Sequence, residues 1–201
     1  MSFLSYYFNN LFFNILHSKL NHIYDRKMSN NFTALTHAAG STLLAGRYLL
    51  DTKNMNKYYN LISYSSAYFI YDLLYLIQYW KPNPLNYAYI YHHLSAVYII
   101  HQNPQIYYGG HILFLGELSN IPSYLVYYYQ KQPNKQNLVK KLKYLQFFLY
   151  SFIRVPLMTK LIKDIFHNSQ NTGNYTTLLV GTPVYLLGLI WTKKLFNKIY
   201  Y

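Results

Sequence analysis

The chain alternates between long stretches without charge and short clusters of lysine. From Pro82 to Gln130 the only formal charge is Glu117, and from Ile165 to Thr192 there is none. Tyr58 to Trp80 contains only Asp72, Tyr144 to Thr159 only Arg154, and Phe32 to Gly46 no charge at all. A helix needs roughly 20 mostly apolar residues to cross a hydrocarbon core about 30 Å thick. The uncharged stretches fit that length, and the Tyr and Trp flanking them suit the membrane interface. They predict six spans, at about 32–50, 60–80, 86–106, 110–130, 142–162 and 176–195. Residues 2–16 are also apolar and aromatic, but short and interrupted by Asn9, Asn10 and Asn14. They are expected to form an interfacial helix, so the chain divides into an N-terminal segment, 1–25, and a transmembrane domain, 26–201. With no basic n-region and no small-residue cleavage site, no removed leader is expected.

Composition sharpens this picture. Charged residues are 11% of the 201 residues, less than half the usual soluble share. The mean hydropathy of −0.05 looks soluble because 27 Tyr and many Asn depress it. The formal net charge of +13 admits either a nucleic-acid binder or a membrane protein with basic loops. A nucleic-acid binder spreads Lys and Arg along the surface that meets phosphates. Here they sit between spans, so no nucleic-acid partner is expected and membrane lipids are. Cysteine is absent, which removes disulfides and thiolate chemistry.

The clusters also orient the chain. One side collects Lys19, Arg26, Lys27, Lys81, Lys131, Lys135, Lys140, Lys141, Lys143, Lys193, Lys194 and Lys198; the other has Lys53, Lys57, Lys160 and Lys163. Twelve against four, with Arg47 and Arg154 assigned to the membrane, places both termini in the cytosol and supports an even number of spans. The sequon Asn174-Tyr175-Thr176 falls on the far side but hugs a span; Asn31-Phe32-Thr33 falls on the cytosolic side.

Ionisable side chains within a bilayer are costly and mark interiors or sites. The candidates are His37, Asp72, His92, His93, His101, His111, Glu117 and Arg154. At 1.5 Å per residue from the cytosolic span ends, Asp72 lies about 12 Å deep and His92 and His93 about 9–10 Å. Asp72 is therefore expected to meet one of the two histidines across the short turn around Pro82 and Pro84. A carboxylate on one imidazole nitrogen makes the other a better proton acceptor, so Asp72, His92 and His93 are candidate catalytic residues. Glu117 and Arg154, each about 18–20 Å deep, are expected to form a structural ion pair. His101 and His111 lie nearer the far side. The H-x-x-x-H and H-x-x-H-H clusters of membrane di-iron enzymes are missing, so no metal site is expected.

The order of these residues resembles the TLC domain. Tyr68-Phe69-Ile70-Tyr71-Asp72-Leu73-Leu74, then Tyr91-His92-His93-Leu94, then Gly116-Glu117-Leu118-Ser119-Asn120-Ile121-Pro122, then Phe152-Ile153-Arg154-Val155-Pro156 match four of its segments in order. Tyr24 to Ser29, with His37 downstream, looks like the approach to its first span. The resemblance covers about Arg26 to Phe196. It implies an all-α, polytopic membrane protein whose six-helix bundle surrounds a lipid-accessible cavity, in the endoplasmic reticulum or another internal membrane. In the ceramide synthases of this family the adjacent histidines are implicated in N-acylation of a sphingoid base by acyl-CoA. Their longer motif carries a His-Asp-x-x-Asp arrangement. Here the stretch reads His111-Ile112-Leu113-Phe114-Leu115, Ala96 replaces a Thr after the histidine pair, and the homeobox-like insert is absent. The chain thus looks like a small TLC-only member, for which the resemblance implies lipid sensing, transport or regulation of membrane composition, with no cofactor. Acyl-CoA-dependent N-acyl transfer through His92 and His93 is the alternative, acyl-CoA then being a substrate; a trafficking or chaperone adaptor for membrane proteins is a second.

Overall fold

The computed structural model describes residues 3–102 and 108–200. Seven helices account for most of them: α1 (Phe3–Asn21), α2 (Arg26–Leu49), α3 (Met55–Gln78), α4 (Pro84–Gln102), α5 (Tyr108–Tyr129), α6 (Gln136–Thr172) and α7 (Thr176–Tyr200). Within α6, Ile153–Leu157 forms a π turn. Among the described residues there is no strand.

Local chemistry sets the ends. Asp25 caps α2, its Oδ1 accepting the Met28 N–H at 2.8 Å. Asn83 does the same for Asn86 at 2.9 Å, with Pro84 as the first residue of α4, where a missing N–H costs nothing. Gly173 ends α6 at φ 70°, a left-handed conformation that glycine adopts without strain. Asn174 Oδ1 then accepts the Thr176 N–H at 3.0 Å to begin α7.

Side-chain contacts give the order of the helices. Ser41 meets Ser65 (2.9 Å), joining α2 to α3, and the Tyr58 hydroxyl donates to the Ile100 carbonyl (3.1 Å), joining α3 to α4. The Tyr91 hydroxyl donates to the Val180 carbonyl (3.1 Å), and Thr159 meets the Tyr185 hydroxyl (2.6 Å), joining α4 to α7 and α7 to α6. Gln146 donates to Ser123 (2.9 Å), joining α6 to α5, and Asn31 donates to the Tyr124 carbonyl (3.1 Å), returning from α5 to α2. The result is a closed ring, α2-α3-α4-α7-α6-α5, in which each helix runs antiparallel to both neighbours. Small residues line the contacts: Ala34, Ala38, Ser41 and Ala45 on α2, and Ser63, Ser65, Ser66 and Ala67 on α3, are all buried. Without a hydrophobic drive between helices in lipid, close packing through small residues and buried hydrogen bonds holds them together.

Helix α1 lies outside the ring, against α2 and α3. Ser5 and Asn9 each meet Ser63 at 3.1 Å, and Asn10 donates to the Ala67 carbonyl at 3.1 Å. Phe13, fully buried, packs on His37, Tyr64 and Tyr68, and the His17 ring lies 5.4 Å from that of Tyr75. Partner numbers rise together, so α1 runs parallel to α3 along most of its length. The asparagines that interrupt the apolar run are the residues that grip α3 or its own turn. Leu4, Tyr7, Phe8, Leu11, Phe12 and Ile15 face outward.

The six expected spans coincide with α2 to α7, but helix and apolar stretch differ in length. The expected fifth span ends near 162, whereas α6 continues to Thr172. Lys140, Lys141, Lys143, Lys160 and Lys163 are all exposed on it, so the helix simply outruns its uncharged middle. The end of the third span, 103–106, and Ser2 lie outside the described residues. Among the described residues, only α6 and α7 are long and apolar enough to cross a membrane by length and mean hydropathy alone. The other ring helices carry Ser, Asn, His and Tyr that depress this average, yet many of these turn inward, including Ser41, Ser63, Ser65, Ser66 and His37.

At the start of α5, Gly110 admits the Tyr48 ring; a Cβ there would lie 2.6 Å from Tyr48 Cδ1. At Gly46 a Cβ would only touch Phe114, at 3.5 Å. Gly110→Ala is expected to cost about 1–3 kcal/mol by overpacking, and Gly46→Ala almost nothing; thermal unfolding in detergent compares the two directly.

Candidate functional site

The polar side chains of α2 to α6 converge at two levels inside the ring. At the first, Asp72 on α3 faces His93 on α4, with Oδ2 3.5 Å from Nδ1. The other carboxylate oxygen accepts from Asn30 Nδ2 of α2 at 3.3 Å, and the Tyr71 hydroxyl donates to Asn30 Oδ1 at 3.2 Å. Three helices thus meet in one polar chain, Tyr71–Asn30–Asp72, ending on His93. Consecutive helical residues point about 100° apart, so only one of the adjacent histidines can face Asp72. His93 does, and His92 turns elsewhere along the ring's interior.

The second level holds Glu117 and Arg154, and it corrects the expected pairing. Among the described residues, no ion pair within 4 Å joins them. Glu117 Oε2 instead lies 3.8 Å from His37 Nδ1. The His37 ring stacks on Tyr68 with centroids 3.9 Å apart, and Phe13 of α1 closes the cage behind it. Arg154 turns to neutral acceptors of α5: Nε donates to Ser119 Oγ (3.1 Å), and Nη2 to the Gly116 carbonyl (3.1 Å) and to Asn120 Oδ1 (3.4 Å). The π turn, one residue wider than an α turn, re-aims Arg154 along α5 toward these groups. Glu117, Ser119 and Arg154 are all buried. At equal depth the two charges are neighbours, but depth fixes only one coordinate, and the facing direction around each helix decided their partners.

His101 is satisfied by Ser66, with Nε2 and Oγ 2.9 Å apart. His111 is half-buried on α5. Asn30 and Asn120 belong to the candidate site, and charge mapping misses them because they are neutral. Both lie inside segments already notable in the sequence, Asn30 beside Met28-Ser29 and Asn120 within Gly116–Pro122.

Two cavities run in series along the ring axis. The wider, about 490 Å³, is bounded by Asp72, His93, Tyr124 and Gln146 and reaches Lys194 and Lys198 of α7 at the end where α2 begins. The narrower, about 80 Å³, lies toward the other end among Ile99, Ile112, Leu113, Leu161, Ile165 and Val184. Phe69, His92, Glu117, Asn120 and Arg154 border both, forming the neck between them. Among the described residues, buried His92 Nδ1 and His37 Nε2 have no hydrogen-bond partner, and His93 Nδ1 has only the 3.5 Å contact with Asp72, too poorly aligned for a hydrogen bond. Such orphaned nitrogens are rare in closed cores, and those of His92 and His93 belong to side chains on the cavity wall. Chemically, the arrangement offers an imidazole steered by a carboxylate, a second acid-imidazole pair behind it, and one guanidinium, all facing a space that changes from polar to apolar. Among the described residues no group of three or more His, Asp or Glu is placed to hold a metal ion.

The family described as the TLC domain matches residues 27–197. No curated protein and no solved structure matches the chain significantly. The matched segment opens at the start of α2 and ends within α7, so it coincides with the six-helix ring and leaves α1 outside. With most of its length in that match and its polar residues gathered on the inside of the ring, this chain belongs to the TLC-domain family, whose members are membrane proteins linked to lipid metabolism or handling.

Proposed function

We propose that the protein handles membrane lipids by taking a single amphipathic lipid into the ring, head group in the wide chamber and chain toward the narrow pocket. The observation that carries this reading is the sequence of the two cavities, polar and wide first, apolar and narrow behind, joined at one neck. A ligand with one charged end and one apolar end matches that order, since each part finds groups that replace what it loses on leaving bilayer or water. The wide chamber opens among lysines, and the positive-inside rule assigns that end to the cytosol. A lipid of the cytosolic leaflet has its head on that side and its tail toward the midplane, the orientation the cavities require. The endoplasmic reticulum or another internal membrane is the setting that family membership supports.

A second reading rests on the 3.5 Å contact between Asp72 and His93 on the chamber wall. There the protein would transfer an acyl group to an amine. The amine attacks the thioester carbonyl of acyl-CoA, its proton passes to the imidazole that Asp72 orients, and the thiolate leaves. His92 would act in its place if the substrate approached from the neck.

The direction of α1 supports a topology different from the one the lysine clusters gave. Running parallel to α3, α1 is proposed to cross the membrane as a seventh helix, with the N-terminus facing away from the cytosol and the C-terminus inside it. The lysine tally is blind to this, because no Lys or Arg precedes Lys19.

Three outcomes are expected. Purified protein in nanodiscs retains about one lipid per chain by native mass spectrometry, and Gly181→Leu, which fills the narrow pocket from α7, lowers that occupancy several-fold while leaving the thermal midpoint nearly unchanged; equal occupancy in both would overturn the container reading. Acyl-CoA-dependent formation of an N-acylated sphingoid base is expected at background in the unmodified protein, His93→Ala and Asp72→Asn alike. Product that falls by about 10²-fold or more in these variants, the scale of a general base, establishes the enzyme instead. Because the chain has no cysteine, one cysteine added before Met1 and another after Tyr201 should react with an impermeant maleimide from opposite sides of sealed vesicles; reaction from the same side returns α1 to the interface.

A further inference from the structure

Arg154 is a buried cation without a buried anion in contact with it. Its side chain is 7% exposed and is held by Ser119, the Gly116 carbonyl and Asn120, all neutral acceptors, with the guanidinium 4.9 Å over the Tyr150 ring. Among the described residues no carboxylate oxygen lies within 4 Å of it: Asp72 is turned to Asn30 and His93, and Glu117, 3.8 Å from His37, borders the same neck but reaches Arg154 only at longer range, across their shared neighbour Asn120. The remaining guanidinium nitrogen, Nη1, makes no hydrogen bond among the described residues. Burying a charge with no anion in direct contact is costly, and a contacting partner of opposite charge is what relieves that cost. The side chain is nevertheless held firmly. Its stem lies along α7 at Gly188, where a Cβ would meet Arg154 Cδ at 3.5 Å, and the π turn fixes its direction.

A second group points to the same place. His92 on α4 borders both cavities beside Arg154, and its buried Nδ1 has no hydrogen-bond partner. Guanidinium, imidazole and the Asn120 amide thus come from three helices to the neck, where the cavity turns from polar to apolar.

Resting on the reading of the ring as a lipid container, we propose that Arg154 and His92 receive the carboxylate of a fatty acid, with the chain entering the narrow pocket. A planar carboxylate matches the fork of a guanidinium, and a hydrogen bond between two charged groups is about twice as strong as a neutral one. A phosphate head group needs more donors than one free guanidinium edge provides, and the lysines that would add charge, Lys194 and Lys198, stand at the mouth of the wide chamber rather than the neck. A long-chain amine would meet a like charge. The narrow pocket holds about 80 Å³, room for the first carbons of a chain. A further cavity of about 110 Å³ adjoins it through Ile99, Ile165 and Thr177, but Asn168, Ser169, Thr172 and Asn174 make its wall polar, so the apolar part of the path ends at the narrow pocket. Chain and charge are therefore read at one point: the acid anchors at the neck, and the apolar wall accepts only what lies beyond it.

The test uses the purified full chain in detergent and radiolabelled dodecanoate, with methyl dodecanoate and dodecylamine as competitors. The acid is expected to bind roughly tenfold or more tightly than its methyl ester, the scale of one charge-assisted hydrogen bond, and the amine more weakly than either. Arg154→Gln should bring the acid down to the ester's affinity and leave the ester unchanged, while Arg154→Lys keeps part of the preference. Should the Gln variant not fold, the acid-ester comparison on the unmodified protein decides alone. Equal affinity for acid and ester overturns the carboxylate site but leaves the lipid container standing, as does displacement by the amine at the acid's own concentration. Failure of all three ligands to bind overturns both.

Discussion

A bilayer interior offers a hydroxyl, an amide or a charge no partner, and that constraint orders this protein. Each ring helix carries a polar stripe, and each stripe is turned to another helix or to the central space. The clearest case is the chain from Tyr71 through Asn30 and Asp72 to His93, which ties α2, α3 and α4 at one depth. Leaving Asp72 without Asn30 and His93 would bury a carboxylate unpaired, so the contact fixes where α4 stands and hence where His92, one residue earlier, points. The outward faces, by contrast, are rich in Leu, Ile and Phe, which have nothing to satisfy.

The same constraint makes the interior asymmetric. The half that opens among Lys194 and Lys198 is wide and carries Asp72, His93 and Gln146; the half beyond the neck is narrow and lined by branched aliphatic side chains. Two acid-imidazole pairs back this interior from different sides. Asp72 and His93 stand on the wall of the wide chamber. Glu117 stands at the neck and His37 behind it, sealed by Tyr68 and by Phe13 of α1. Helix α1, outside the family's shared ring, therefore reaches the site through the Phe13 ring and through His17, which packs on Tyr71 and Tyr75 within electrostatic range of Asp72. A protein built this way binds one end of an amphiphile by charge and the other by exclusion of water, whichever reaction, if any, follows.

Much of the ring was legible beforehand because membranes reward one simple pattern. The gaps between lysine clusters located α2 to α7, and helical rise brought Asp72 within reach of the histidine pair. Facing directions were not legible. Glu117 and Arg154 were matched by depth, yet Glu117 lies 3.8 Å from His37, and Arg154 bonds to neutral atoms of α5. A π turn, which shifts every later residue around its helix, leaves no mark in a list of charges. Residues 2–16 were read as an interfacial helix because the apolar run is short and interrupted by three asparagines. Asn9 and Asn10 are the very residues that hold α1 against α3, since an amide that breaks a hydropathy average can also serve as a hydrogen bond between helices.

By itself the sequence determined that this is a helical membrane chain, roughly where its spans lie, and which few ionisable groups they bury, because those follow from one-dimensional rules of length, hydropathy and charge. Only the tertiary structure decided the order α2-α3-α4-α7-α6-α5, the choice of His93 over His92 for Asp72, and the absence, among the described residues, of a direct contact between Arg154 and a carboxylate. Those depend on the angle at which each side chain leaves its helix and on which helix stands opposite. Neither quantity is written in the spacing of residues along a single chain.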